Sequence, residues 1–83
     1  MEILKFEAEW CGSCKAFEPV LNEVKEQTGV SITHVNVDLD ENAELVEKYG
    51  VMSIPRTVIL KDGEVVDDFV GIRPAEYVIE QIK

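Results

Sequence analysis

Hydrophobic and polar residues alternate along Glu2-Ile3-Leu4-Lys5-Phe6-Glu7-Ala8, the period of a β-strand. From residue 11 to residue 28 the period lengthens. Phe17, Val20, Leu21 and Val24 recur at spacings of three and four, which makes one apolar stripe on a helix. Gly29 stands where a helix C-terminal glycine belongs. Pro19 lies inside the helix, and its missing N–H predicts a kink. Residues 31–38 are β-branched and alternating, a second strand. Asp40 is expected to cap a helix over 41–49, with Glu41 and Glu44 near its positive end and Gly50 ending it. Thr57-Val58-Ile59-Leu60 reads as a third strand and Glu64 to Val70 as a fourth, joined by the hairpin signal Asp62-Gly63. Gly71 breaks that strand. Pro74 opens a last helix whose apolar face is Tyr77, Val78 and Ile82.

The order is β-α-β-α-β-β-α. A helix joins the first two strands, so they are expected to run parallel through a right-handed crossover. The last two form an antiparallel hairpin. The fold class is therefore α/β, a three-layer α/β/α arrangement around a four-stranded mixed sheet. With 83 residues, residues 1–83 are expected to form one domain with one modest core.

Charge narrows the partners. Eight Lys and Arg against 17 Asp and Glu leave a net charge of −9. Nucleic-acid binding relies on cations that neutralise phosphates, and anionic membranes select cations too, so neither partner is expected. The acidity is not a tail: the first 42 residues carry three cationic and nine anionic side chains, the remainder five and eight. No apolar run approaches the ~18 residues of a membrane span. The first residues lack a basic stretch followed by a long apolar one, so no secretory signal is expected and the cytoplasm is the expected compartment.

The chemistry sits in Trp10-Cys11-Gly12-Ser13-Cys14-Lys15, where the first strand gives way to the first helix. Two cysteines three positions apart close too small a loop to act as a staple. In a reducing compartment such a pair is catalytic or metal-binding. A thiolate at a helix N-terminus meets unpaired N–H groups and the positive end of the helix dipole, so the Cys11 thiol is expected below its free value of ~8.5. Cys11 is then the exposed attacking sulfur. Cys14, one turn into the helix, is the more buried sulfur that resolves the mixed disulfide. A structural zinc site needs four ligands, and only Cys11, Cys14 and His34 are good ones, so no metal is expected in a single chain.

The sequence resembles the thioredoxin family along essentially its whole length. Ala8 to Lys15 resembles the active-site segment, and Pro19 matches the proline of the active-site helix. Residues 37–42 and Lys48-Tyr49-Gly50-Val51 are similar to the middle segment. Ser53-Ile54-Pro55 matches the loop whose proline is cis, Lys61-Asp62-Gly63-Glu64 the hairpin, and Gly71 the glycine beside the substrate groove. The resemblance implies that Trp10, Gly12, Ile54, Pro55 and Gly71 form a flat apolar surface around Cys11. It also implies that the Ile54 backbone pairs with an extended substrate.

Four departures qualify the resemblance. The family usually places a further strand and helix before the strand that holds Ala8, whereas this sequence starts at that strand, like the short thioredoxins and glutaredoxin-like proteins. Ser13 replaces the usual proline between the cysteines, from which a less reducing couple is expected. Lys5 stands where the family usually has a buried Asp, and Asn36 where it has the partner Lys. Lys5 is therefore a candidate for tuning Cys14, either as a nearby cation or, if burial neutralises it, as a base. A strand Lys more commonly snorkels to the sheet rim. Arg56 follows Pro55 and is a candidate cation at the groove for acidic partners or glutathione. His34 reads as a strand-surface residue, and Asp38, Asp40, Glu41, Glu44 and Glu47 as a solvated face.

The expected activity is thiol–disulfide exchange on protein disulfides by a monomer. It needs no cofactor beyond the Cys11–Cys14 dithiol, and a thioredoxin reductase or glutathione would recycle it. A glutathione-dependent enzyme, a redox-dependent binding module and a metal-delivery protein are the alternatives.

Overall fold

The computed structural model describes all 83 residues, Met1–Lys83. The strands are β1 (Glu2–Glu7), β2 (Ser31–Asn36), β3 (Arg56–Lys61) and β4 (Glu64–Val70). The helices are α1 (Gly12–Thr28), α2 (Ala43–Lys48) and α3 (Ala75–Ile82). The strands form one sheet in the order β2-β1-β3-β4. β1 pairs parallel with β2 and antiparallel with β3, and β3 pairs antiparallel with β4. This is the mixed sheet expected from the pattern, with β1 and β3 central.

The period-2 alternation of the central strands splits the core in two. Ile3 and Ile59 face α1 and α3, where they meet Phe17, Leu21, Val24 and Val78. Leu4, Phe6, Val58 and Leu60 face the other way and pack with Val35 and with Leu45, Val46 and Tyr49 of the α2 segment. α1 continues through Pro19 and ends at Gly29, which has φ +73° and donates its N–H to Lys25 O. Asp62 and Gly63 both have positive φ, the geometry of a tight β3–β4 hairpin. The β3–β4 register shifts between Ile59 and Leu60.

Two local expectations need correction. Asp40 caps no helix. It opens a short 3-10 turn, Asp40–Asn42, and α2 starts only at Ala43 with no side-chain cap at Asn42. Asn42 instead donates its amide to Asn36 O, which ties the turn to the end of β2. Pro74 precedes α3 as its N-cap in extended conformation and is not in its first turn.

Candidate active site

β1 ends at Glu7, and Ala8, buried at 4% exposure, turns the chain into α1. Cys11 is the N-cap of α1, with extended backbone angles. Its Sγ accepts the Cys14 N–H at 3.1 Å. The sulfur thus occupies the position at which a helix offers unpaired donors and positive potential, the setting that favours a thiolate. Cys11 and Cys14 are joined in a disulfide. Ser13 Oγ lies 3.5 Å from Cys11 Sγ.

The expected contrast in burial between the two sulfurs is small: Cys11 is 5% exposed and Cys14 2%. The reason is the cap itself, which draws the Cys11 side chain under the first helical turn, where both cysteines pack with Ala8 and Ile54. Around the pair, Trp10 is 71% exposed and Gly12 is exposed, while Ile54 and Gly71 are half-buried. Pro55 is buried, so it supports the surface from below. The Ile54–Pro55 peptide bond is cis, as the sequence led us to expect. Gly71, at φ +90°, donates its N–H to Pro55 O at 2.8 Å and joins the two loops beside the disulfide. Met52, on the same loop as Ile54, is 95% exposed.

Several charged residues have partners that the sequence did not show. Trp10 Nε1 donates to Asp38 Oδ2 at 2.8 Å, so Asp38 orients the indole and is not merely part of a solvated face. Arg56 is bonded through Nε and Nη2 to the Asp68 carboxylate across the β3–β4 pair, which commits this cation to the sheet edge and away from a free anion.

Lys5 does not reach the rim. It is 1% exposed, on the α1 face of the central strand, and its Nζ donates to Cys14 O at 2.9 Å. The same ammonium lies 2.6 Å from Glu18 Oε2 and 3.0 Å from Glu7 Oε1. His34 completes the cluster, with Nδ1 3.0 Å from Glu7 Oε1 and Nε2 3.4 Å from Glu18 Oε1. Burial raises the Glu7 pKa, but hydrogen bonds from His34 and Lys5 and their charge outweigh it, so Glu7 is held below its ordinary value. Glu7, Glu18 and His34 present ligand atoms within 4.8 Å of one another, but the Lys5 ammonium already supplies a cation to both carboxylates. An open cleft of about 510 Å³ lies over this cluster and reaches Cys14.

A mixed α/β sheet with a Cys-x-x-Cys disulfide at the N-terminus of its first helix defines a thiol–disulfide oxidoreductase. The thioredoxin family profile matches residues 1–83. The thioredoxin of Bacillus subtilis is 49% identical over 77 residues, covering 93% of this chain and 74% of that protein. The thioredoxin of Staphylococcus saprophyticus is 40% identical over 83 residues, all of this chain and 80% of its own length. Among solved structures, a mutant thioredoxin from Halobacterium salinarum superposes with a TM-score of 0.86 at 36% identity, over 98% of this chain and 70% of its own. The chain belongs to the thioredoxin family and is a thiol–disulfide oxidoreductase. The family acts in general on protein disulfides and with reductase partners. No helix of the chain is long and apolar enough to cross a membrane.

Proposed function

We propose that this chain reduces protein disulfides, with Cys11 as the attacking sulfur and Cys14 as the resolving one. Cys11 forms a mixed disulfide with the substrate. Cys14 then closes the Cys11–Cys14 bond and releases the substrate thiol. The observation that carries this reading is the position of Cys11 Sγ as the cap of a 17-residue helix, accepting the Cys14 N–H. Trp10, Gly12, Ile54 and Gly71, supported by Pro55, form the docking surface. The dithiol is the only redox group the chemistry requires. A thioredoxin reductase is the electron donor we favour, because Arg56, the residue that suggested glutathione, is held by Asp68. The working form is a cytoplasmic monomer that passes electrons to oxidised proteins and keeps their thiols reduced.

The test uses a disulfide-containing protein substrate. Cys14→Ser is expected to accumulate a covalent adduct through Cys11, seen by mass as substrate plus enzyme and reversed by a small dithiol. Cys11→Ser should form none and turn over no substrate. Turnover that survives in Cys11→Ser would overturn the assignment.

A further inference from the structure

The buried Lys5 does not stand alone against Cys14. It holds the carboxylate of Glu18, which lies on the same helix as Cys14 and four positions on, so both side chains are on one face. Both also line the cleft over the cluster. The resolving step has to remove a proton from Cys14, because the thiolate is the nucleophile. Cys14 is 2% exposed, so that proton needs a local acceptor. We propose that Glu18 is this acceptor, and that Lys5 is the positioning residue that holds its carboxylate over the cleft.

The proposal rests on the dithiol reading above. In the mixed disulfide, the substrate sulfur is bonded to Cys11 and Cys14 carries its thiol proton. That proton crosses the cleft to Glu18. The Cys14 sulfur attacks Cys11 Sγ, and the bond from Cys11 to the substrate sulfur breaks. The substrate leaves as a thiolate and takes a proton from solvent. The dithiol has lost two electrons and the substrate disulfide has gained two.

The geometry selects Glu18 over Glu7. A single oxygen of Glu7 is shared by Lys5 Nζ and His34 Nδ1, each at 3.0 Å. Two donors on one oxygen, one of them the Lys5 ammonium, hold that carboxylate below its ordinary pKa and make it a poor base. Glu18 binds Lys5 through Oε2, while Oε1 faces only His34, at 3.4 Å. Its side chain is 37% exposed, so a captured proton passes on to solvent. The charged groups around it are Lys5 and Glu7 from β1, His34 from β2, Glu9 after β1 and Lys15 on α1.

The test is stopped-flow reaction of the reduced protein with 5,5′-dithiobis(2-nitrobenzoate). Attack by Cys11 releases one thionitrobenzoate, and resolution by Cys14 releases a second. In Glu18→Gln the second phase is expected to slow at least about tenfold at neutral pH, the first phase to stay within about twofold, and acetate to restore the second. Lys5→Met should slow the second phase too, with native circular dichroism as the control. Glu18 is half-buried and Gln keeps its shape, so the Gln variant carries the test even if Lys5→Met fails to fold. A second phase that is unchanged in Glu18→Gln at every pH, or slowed equally by Glu7→Gln, overturns the proposal. Absence of a second phase in the wild type would instead overturn the dithiol reading.

Discussion

Thr57 is fully buried on β3, opposite Lys5 in the β1–β3 register, and no protein group lies within hydrogen-bonding reach of its hydroxyl. An unpaired buried hydroxyl costs free energy that an apolar group of the same shape does not. Thr57→Val is therefore expected to raise unfolding stability by about 1 kcal/mol, read from denaturant midpoints at constant slope. Ser13 has the opposite character. Its hydroxyl stands 3.5 Å from Cys11 Sγ and can donate to a thiolate there, which stabilises the reduced form. Ser13→Ala should make the couple more reducing by about tenfold in the exchange constant, ~30 mV, measured by equilibration in thiol–disulfide buffers. The cysteine pair and its place at a helix N-terminus were legible in the sequence because the signal is local. The Lys5 cluster was not. Its members Lys5, Glu7, Glu18 and His34 are up to 29 positions apart and converge only when β1, β2 and α1 pack. The nearest signal was the spacing of four between Cys14 and Glu18.

At the scale of elements, strands and helices followed from periodicity and glycine punctuation, and their ends moved by a residue or two. The segment after β2 was the exception. Asn36 accepts the Asp38 N–H through its side chain and Asn42 donates to Asn36 O, and between these local bonds the chain forms a 3-10 turn before α2 begins. The β3–β4 hairpin depends on a backbone that L-residues avoid. Gly63 has φ +83°, and a Cβ there would meet nothing within 4 Å, so the cost of a side chain is backbone strain alone. Gly63→Ala is expected to destabilise by about 1.5 kcal/mol in equilibrium unfolding while leaving thiol exchange intact. Loss of activity at unchanged fold would show that the hairpin does more than join two strands.

The whole molecule is strongly acidic, yet its most buried charge is a cation. Lys5 sits under a carboxylate pair at the centre of the sheet, and this arrangement links stability to pH through Glu7. A folded-state pKa below the ordinary 4.5 means that the ionised form is favoured by folding. The contribution is complete above that value and is lost as pH falls through the lower, folded one. Glu7→Gln is therefore expected to flatten the acid limb of stability, with the gap to the wild type closing as pH drops below 4.5. Thermal unfolding across that range checks it. An undiminished gap would mean that the carboxylate acts by packing and not by charge.

Because Cys11 Sγ caps α1, the atom that changes oxidation state is also the atom that anchors the helix. A thiolate accepts a backbone N–H at least as well as a disulfide sulfur does. Gaining electrons therefore removes no anchor and leaves the helix start in place. With the cap kept, the two oxidation states are distinguished at this helix start by a bond and a charge. A partner that must tell them apart has to come close enough to feel the sulfur itself.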